Sequence, residues 1–522
     1  MFLLFKVETN PLNQPYSIDY YPVTLASTGH FSLNILIAAK LAEYRFSYSF
    51  DGNNWILLAD HVVCGDVILI SGQSNASAES DKEQETLMNM RYGNDESNIY
   101  GKYSRTFTRW HINPNTAWSN AQVSGGYGVG VWGLRLQYEL QKANHVPTCL
   151  INGAVGGTGM DQHQLLESNP FYFDFVNNQY LMGSLLTRVY YAGLENDISA
   201  IIWYNGEDEC GSPNPETGIY TREFDGLYQS CVDYLGSFRK MYVVQVASYT
   251  GPRVGIGYVS EDQRNLPLYY ENLNVMSSNG IGPKNPAPGQ HIHFLAEAYA
   301  ELGRRLFNLI QKDIYGQASH LNPLPPAILK VRSEGKCIYL DFDQLLDVSL
   351  SDALENVLSV ISFNQPGIPK YNPRIKENSF YFEVDTISLS LIQEVSYAGF
   401  LPNGQYDLKC YLRNSDTVAA LSFYKMPLSQ GGNPYGLPMA EAPQLHLQFF
   451  PNPVKDIARI SWLEEAEETC VQLFNPSGCL IMQQFISDKH FDLDCTFFPP
   501  GFYFLRISNK YGSASRKFCV GN

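Results

Sequence analysis

Apolar runs in the middle of the chain alternate with stretches of helical spacing. The runs are "DVILI", "VPTCLI", "AIIWY" and "MYVVQVA", and stretches such as "VWGLRLQYELQKA" and "YLMGSLLTRVYYAGLEN" separate them. Alternation of strands and helices predicts a parallel sheet that helices cover on both faces. We therefore expect residues 63–312 to form an α/β domain.

The segments before and after this region have the shorter alternating pattern of β structure. Residues 1–62 open on "MFLLFKVETN", which is too short in its apolar part for a signal peptide and is typical of a strand. Asp51-Gly52-Asn53-Asn54 has the composition of a hairpin loop. In residues 313–426, "SFYFEVD" and "YDLKCYLRN" predict strands of a β-sandwich, and residues 427–446 are expected to be a linker because they are rich in Pro and Gly.

Residues 447–522 are predicted to form a small, separate β-sandwich. In "IARISW", Ala458, Ile460 and Trp462 alternate with polar residues, as in a half-buried strand. "NPSG" at 475–478 predicts a hairpin turn, and "PPGFYFLRIS" predicts a further strand.

Charge and composition exclude several classes of partner. The formal charge of −16 would repel a phosphate backbone, so nucleic acid is not an expected partner. No apolar run reaches the roughly 18 residues of a membrane span. Ten cysteines without a CxxC pair indicate neither a zinc ribbon nor a disulfide-dense scaffold, although export would allow pairs such as Cys210 with Cys231.

Three of the four apolar runs end in an unusual small or polar cluster: GQSNA, NGAVGGTG and NGEDE. Ligands of open α/β sheets bind at the carboxyl ends of the strands, so these clusters are expected to meet at one site. Ser74 lies in the first cluster, between Gln73 and Asn75. A serine there is a candidate nucleophile, provided that an imidazole takes its proton and preorganised donors bind the oxyanion.

The sequence offers both kinds of supporting group. Backbone N–H groups of Ser74 and of the loop 156–158, and the side-chain amide of Asn205, are candidate oxyanion donors. The base is expected from "GQHIHFLAEAYAELGRRL", in which His291 and His293 precede a segment with helical apolar spacing. His163 and Asp161 suggest a metal, but no third ligand has convincing spacing, so no metal site is predicted.

Taken together and in this order, "SGQSNA", "GGT", "WYNGE" and "HIHF…ELGRRL" resemble the SGNH/GDSL hydrolase superfamily, in particular its sialate O-acetylesterase-like branch of carbohydrate acetylesterases. The resemblance implies a flavodoxin-like three-layer fold with a parallel sheet. It also implies Ser74 as nucleophile, His293 as base, and an oxyanion region at Gly157 and Asn205, where the family usually has Gln in place of the asparagine. Glu207 is expected to brace its loop by hydrogen bonds. The neighbours of the catalytic pair complete the expected oxyanion and substrate-binding region: Gln73, Gln290 and His291.

The expected acid of the catalytic triad is missing from its usual place, because Gln290 and His291 precede His293. Two alternatives follow. A carboxylate from another loop orients His293, with Glu207 and Asp208 preferred over Asp161, or Gln290 presents its carbonyl oxygen to the imidazole.

The final segment resembles the type A sorting domain of the type IX secretion system of Bacteroidota. The resemblance lies in "FFPNPVKDIARISW", the central glycine turn, "PPGFYFLRIS" and the last basic strand. It implies a secreted or cell-surface protein that meets the type IX secretion machinery. Since that route starts with a signal peptide, we expect the natural chain to extend upstream of Met1.

The sequence thus predicts a secreted serine esterase that removes O-acetyl groups from carbohydrates without a cofactor. A sialate substrate would need a cation for its carboxylate, and Arg135 and Arg253 are candidates. Acetylated plant polysaccharide such as xylan is the alternative substrate. A non-catalytic glycan-binding surface protein on the same fold is the alternative function.

Overall fold

The structure is a computed structural model with two compact units, residues 1–431 and 432–522. It describes the following residues: 3–24, 30–108, 117–212, 214–236, 238–248, 255–285, 292–317, 322–347, 349, 354–399, 410–430, 447–450, 454–462, 469–474, 480–509 and 512–521. The first unit contains three sheets and the second contains two. The prediction of a mixed α/β protein with several sheets is confirmed.

The first unit opens with a four-stranded sheet of order β2-β1-β3-β4. Its strands are β1 (Leu4–Pro11), β2 (Ser17–Pro22), β3 (Ala42–Ser49) and β4 (Ile56–Val62). β3 and β4 pair antiparallel around Asp51, whose carboxylate accepts the backbone N–H groups of Asn53 and Asn54 at 2.8 Å. The predicted opening strand and hairpin loop are therefore present.

A seven-stranded sheet occupies the centre of the first unit. Its strands are β5 (Asp66–Gly72), β6 (Ser104–Phe107), β7 (Trp118–Asn120), β8 (Thr148–Asn152), β9 (Ile198–Tyr204), β10 (Lys240–Gln245) and β11 (Leu273–Ser277). The order is β11-β10-β9-β5-β8-β6-β7, and all pairs are parallel except the edge pair of β6 with β7. The four apolar runs of the sequence form β5, β8, β9 and β10.

Along the chain, helices connect most strands of this sheet, and a last helix follows the final strand. They are α1 (Ser74–Ser77), α2 (Lys82–Tyr92), α3 (Val131–Asn144), α4 (Leu181–Ala192), α5 (Ile219–Tyr234), α6 (Ile256–Asn265) and α7 (Ala296–Asp313). Alternate residues of β5 belong to two different cores: Ile68 and Ile70 pack with residues of α3 and α7, whereas Val67 and Leu69 pack with residues of α4, α5 and α6. Because successive strand side chains point to opposite faces, helices cover both faces of the sheet.

The order of the strands creates a crevice beside β5. From β5 the chain crosses to the edge pair β6 and β7, comes back to β8 beside β5, and then continues with β9 on the other side of β5. Ligands of open α/β sheets bind where the strand order reverses in this way, at the carboxyl ends of the strands. Ser74 follows β5 at this point.

A third sheet follows the α/β region, with order β14-β17-β18-β12-β13-β16-β15. Its elements are β12 (Ile328–Glu334), β13 (Cys337–Phe342), α8 (Leu354–Leu358), β14 (Ile361–Phe363), β15 (Tyr371–Lys376), β16 (Ser379–Glu383), α9 (Thr386–Leu389), β17 (Glu394–Tyr397) and β18 (Phe423–Gln430). Over the described residues β18 connects two groups of strands, because it pairs with β12 through residues 428–430 and with β17 through residues 423–427. The β-sandwich expected here stays a prediction. The linker boundary needs correction, because β18 includes residues 427–430 and pairs with β12 and β17. Residues 431–446 of that linker lie outside the described residues.

The second unit contains a three-stranded sheet, β19-β20-β23, and a four-stranded sheet, β22-β21-β24-β25. The strands are β19 (Leu447–Phe450), β20 (Ile457–Trp462), β21 (Thr469–Phe474), β22 (Leu480–Ile486), β23 (His490–Asp494), β24 (Gly501–Asn509) and β25 (Gly512–Val520). Ala458, Ile460 and Trp462 are buried on one side of β20, as the alternation predicts. The predicted turn at 475–478 lies outside the described residues, and its flanking strands β21 and β22 pair antiparallel.

Cys210 and Cys231 are both buried and both are free thiols, so the pair suggested by the sequence is not a disulfide in the structure. Among the described residues no helix is long and apolar enough to cross a membrane.

Candidate active site

Ser74 lies directly after β5, on a loop that is tied to the end of β9. Gly72 has φ = +131°, and a β-carbon there would lie 2.0 Å from the carbonyl oxygen of Tyr204, so only glycine allows this approach. The next residue, Gln73, donates its backbone N–H to the same carbonyl at 3.1 Å. These contacts explain why the apolar strand ends in a glycine before the serine.

The structure brings His293 to Ser74. Its Nε2 atom lies 2.8 Å from the Ser74 Oγ atom, although the two residues are 219 positions apart. The backbone N–H of Asn285 donates to the His293 carbonyl at 2.8 Å. α7 begins three residues later, and the Ala296 N–H at its start donates to Oε1 of Gln84 at 3.0 Å. A hydrogen bond between a serine and an imidazole is the arrangement in which a histidine activates a serine hydroxyl.

The two amides that flank Ser74 have a common partner. Gln73 Nε2 and Asn75 Nδ2 each donate a hydrogen bond to the Glu207 carboxylate, one to each oxygen. All three side chains are at least nine-tenths buried. Glu207 lies in the loop after β9, and its two hydrogen bonds reach the residues on both sides of Ser74. Glu207 therefore holds the backbone that carries Ser74.

Asn75 extends this network to the histidine segment. Its Nδ2 atom also donates to the carbonyl oxygen of Ile292 at 3.3 Å, and its Oδ1 atom accepts from the Tyr299 hydroxyl at 2.6 Å. Its own carbonyl accepts from Nε1 of Trp132 at 3.0 Å. Asn75 therefore links the serine loop to the residue before His293 and to helices α3 and α7.

A partly buried lysine, Lys284, interacts electrostatically with the buried Glu207. Burial raises the pKa of Glu207, and the hydrogen bonds from Asn75 and Gln73 and the positive charge of Lys284 oppose that rise. Burial lowers the pKa of Lys284 to about 8, although Glu207 favours its charged form. The Lys284 ammonium donates to the Ser248 carbonyl at 2.7 Å. The sequence did not indicate Lys284, because no local pattern shows that this lysine comes close to Glu207, which follows a different strand.

The glycine loop after β8 lies beside the serine. A β-carbon on Gly156 would be 3.5 Å from Cβ of Ser74, so Gly156 lies beside the serine. Gly157, with φ = +71°, faces open space. Asn205 is fully buried and donates from Nδ2 to the carbonyl oxygen of Thr158 at 3.0 Å, which supports the loop from within. Of the expected oxyanion groups, the structure therefore sets Gly156 against Ser74 and Asn205 beneath the loop.

The remaining carboxylates gather around Gly159. A β-carbon there would lie 2.9–3.1 Å from oxygens of Asp161, Asp208 and Glu209. Asp208 is exposed, and Glu209 accepts the backbone N–H of Met160. Burial raises the pKa of Glu209 to about 7. Gln290 and His291 lie outside the described residues, so the residue that orients His293 stays a prediction.

His163 has a structural environment. Its Nε2 atom lies 2.9 Å from the Thr158 hydroxyl, and its ring packs edge-on against Trp203 at 5.1 Å. Burial lowers its pKa to about 3, which keeps the imidazole neutral. Among the described residues no group of three His, Cys, Asp or Glu side chains is placed to hold a metal ion.

Ser74 and His293 open into a cavity of about 670 Å³. Its wall includes Gly156 and, at the mouth, the half-exposed ring of Phe175 and the exposed carboxylates of Glu79 and Asp81. Phe175 and Glu79 carry no sequence motif and were not predicted.

Arg135 of α3 was a candidate cation for an anionic sugar, but it pairs with Glu139 of α3 and Tyr92 of α2 and does not line the cavity. Arg253 lies outside the described residues. Arg188 lines the cavity, but it is 2% exposed and donates to the carbonyl oxygens of Phe107, Thr108 and Asn152 at 2.7–2.8 Å.

Comparison with known families identifies two parts of the chain. Residues 64–312 match the family described as carbohydrate esterase, sialic acid-specific acetylesterase. Residues 448–521 match the family described as secretion system C-terminal sorting domain, which indicates secretion to the cell surface or beyond. A sequence search of curated proteins finds no match.

A solved structure of a carbohydrate acetylesterase shares the fold. A carbohydrate acetylesterase from Xanthomonas citri is 18% identical with a TM-score of 0.54, and the match covers 81% of this chain and 92% of that one. A protein from Arabidopsis thaliana is 19% identical with a TM-score of 0.34, covering 48% of this chain and 99% of that one. The resemblances seen in the sequence to carbohydrate acetylesterases and to a secretion sorting domain are confirmed.

Proposed function

We propose that Ser74 and His293 perform the chemistry of this protein, a carboxylic ester hydrolase that carries a carbohydrate esterase domain at residues 64–312. The observation that carries the proposal is the 2.8 Å contact between the Ser74 hydroxyl and His293 Nε2. The contact lies at the reversal of strand order and opens into a cavity large enough for a sugar.

In the first half-reaction, Ser74 Oγ attacks the acetyl carbonyl carbon while Nε2 of His293 takes the hydroxyl proton. The tetrahedral intermediate collapses, the bond from carbon to the sugar oxygen breaks, and the imidazolium gives its proton to that oxygen. The sugar leaves with a free hydroxyl, and an acetyl-serine remains.

In the second half-reaction, water attacks the acetyl-serine and gives its proton to Nε2 of His293. The bond from carbon to Oγ then breaks, the proton returns to the serine, and acetate leaves. No cofactor takes part in either half. The backbone N–H groups of Ser74 and Gly156 are the proposed oxyanion donors, with Gly157 allowing the loop to turn, because Gly156 is the loop residue against Ser74.

Glu207 acts in this proposal as a positioning residue that fixes Ser74 through Gln73 and Asn75. A third group must hold the tautomer of His293 with Nε2 free to accept the serine proton. Because the Glu207 carboxylate accepts from Gln73 and Asn75, the alternatives for that group are Asp208, Asp161 and Gln290. Both aspartates are exposed, which favours Gln290, three residues before the histidine.

The substrate class follows from the charge of the cavity mouth. A sialate specificity is one candidate, from the description of the matching family. Two carboxylates at the mouth, Glu79 and Asp81, favour neutral acetylated sugars such as acetylxylan, because they would repel the carboxylate of sialic acid. The guanidinium of Arg188 is engaged by backbone carbonyls and is almost fully buried. We therefore place neutral O-acetylated polysaccharides first.

The sorting domain supports export by the type IX route and contact with that secretion machinery. An esterase outside the cell would meet polymeric glycans directly. This agrees with a polysaccharide substrate.

The test combines a labelled nucleophile with two substrates. The purified chain should release acetate from acetylxylan faster than from O-acetylated sialic acid, and a fluorophosphonate should label Ser74, read by mass spectrometry of the peptide. Label on another residue would overturn the assignment of Ser74. Faster release of acetate from O-acetylated sialic acid would show that the substrate is an anionic sugar.

A further inference from the structure

A second cavity of about 820 Å³ lies at the opposite end of the central sheet from Ser74. Its wall includes Asp66 and Thr148, the first residues of β5 and β8, whereas Ser74 follows the last residue of β5. A strand of seven residues is roughly 20 Å long. The cavity is therefore separate from the catalytic cavity, and no catalytic residue lines it.

The edge strand β7 contributes a half-exposed indole to this cavity. Trp118 is 44% exposed, and its ring meets Phe107 edge-on at a centroid distance of 5.3 Å and an angle of 84°. β6 and β7 pair with Phe107 opposite Trp118 and Arg105 opposite Asn120, so these four side chains share one face of the sheet. The contact with Phe107 fixes the plane of the indole. The indole of Trp118 therefore offers a rigid aromatic surface, the Trp118 platform.

Polar groups of the N-terminal sheet face that platform. Arg105 donates to Glu43 and to the carbonyl oxygen of His61, each at 3.0 Å, and His61 Nδ1 lies 3.0 Å from the same Glu43 oxygen. His61 has φ = +53°, a conformation that costs a non-glycine residue of order 1 kcal/mol, and its side chain is 73% exposed. Asp60, beside it, also lines the cavity. The charge of Arg105 offsets that of Glu43, and the carboxylates of Asp60 and Asp66 remain in the wall beside hydrogen-bonding groups of both kinds.

This composition points to a neutral, polyhydroxylated ligand. An exposed aromatic face binds the C–H face of a sugar ring, and amide, carboxylate and imidazole groups at its edge bind hydroxyls. The carboxylates of the wall would repel an anionic ligand, whereas sugar hydroxyls can donate hydrogen bonds to them. A ligand without polar groups would leave the buried Glu43 and Arg105 network unsolvated.

We propose that the cavity formed by Trp118 and the facing segment Asp60–His61 is a non-catalytic binding site for neutral glycan chains. The site would hold a polysaccharide near the enzyme and raise its local concentration at the catalytic cavity. The choice of a glycan rests in part on the proposed function, while the binding itself requires no catalysis.

Native gel electrophoresis in gels that contain soluble deacetylated xylan, glucomannan or mixed-linkage glucan tests the proposal on the full chain. At least one of these glycans should retard the wild-type protein. Trp118→Ala should weaken binding at least tenfold, and Trp118→Phe should retain most of it. Trp55→Ala, which removes an indole from the N-terminal sheet outside the cavity, is the matched control and should bind as wild type.

Two further measurements keep the outcome clear. Hydrolysis of p-nitrophenyl acetate should stay within twofold of wild type in Trp118→Ala, because this small ester needs only the catalytic cavity. If that variant does not fold, His61→Asn removes the imidazole while tolerating the left-handed backbone, and should weaken binding at least threefold. Absence of retardation in all three glycans, or unchanged binding by Trp118→Ala, overturns the proposal. If the wild-type protein hydrolyses no acetyl ester, only the proposed function is overturned.

Discussion

Replacement of Glu207 by glutamine tests whether the buried carboxylate positions Ser74, the proposed nucleophile. The carboxylate accepts from both Gln73 and Asn75, and a glutamine of the same shape offers one carbonyl oxygen and one NH₂ group. One flanking amide therefore keeps its acceptor, while the other meets a donor and is left unsatisfied in a buried position.

The size of the effect follows from the hydrogen bond that is lost. A hydrogen bond to a charged group contributes about 1.5–3 kcal/mol, and a buried unsatisfied donor costs a similar amount. If about 2–3 kcal/mol is lost from the geometry of Ser74, kcat falls about 30- to 150-fold. The loss of global stability should be smaller, because burial raises the pKa of Glu207 and a neutral side chain relieves that desolvation.

The assay measures kcat for p-nitrophenyl acetate together with the thermal midpoint. Asp262→Asn is the matched control, because Asp262 is 3% exposed and accepts the Gly218 N–H at 2.8 Å, yet it does not line the catalytic cavity. It should lose stability and keep a kcat near wild type. If Glu207→Gln keeps more than a third of the wild-type kcat, or if the control loses as much, the carboxylate does not position the serine.

The remaining predictions concern the nucleophile and a titrating carboxyl. Ser74→Ala should lower kcat on the order of a million-fold with an unchanged circular dichroism spectrum, and retention of a few per cent of activity would exclude Ser74 as nucleophile. The pKa of Glu209 is raised to about 7, so the folded state binds more protons than the unfolded state between about pH 4.5 and pH 7, and this group makes stability fall as pH rises through that window. Urea unfolding at pH 5 and pH 8 should therefore show Glu209→Gln gaining about 3 kcal/mol relative to wild type on going to the higher pH. A pH-independent difference would contradict the raised pKa.

Local patterns predicted the elements that carry the site. The apolar runs gave the strands β5, β8, β9 and β10, because a strand buried on both faces must be apolar at nearly every position. Leucine and alanine spacing gave α7, whose residues at three- and four-residue intervals enter the core. The polar clusters after the strands predicted a shared site, since parallel strands end at one edge of the sheet.

Sequence periodicity could not choose between one sheet and two in residues 322–430. Alternating strands look alike whether their neighbours continue the same sheet or face it from another layer. β18 pairs with β17 through its first residues and with β12 through its last, so one strand connects the two groups, and the sandwich stays a prediction. The same pairing carries regular structure into a segment whose Pro and Gly content indicated a linker.

The sequence by itself determined that a serine between two amides ends the first central strand, and that a histidine precedes a well-packed late helix. The tertiary structure alone decided what those amides bind, because Glu207 lies 134 residues beyond Gln73 and reaches it only through the adjacency of β5 and β9. It also decided that Gly156 lies beside Ser74, and that Trp118 is exposed in a cavity. Local patterns reflect neighbours along the chain and the average burial of each residue. Hydrogen bonds between strand ends and the exposure of one aromatic ring depend on the order in which distant strands pair.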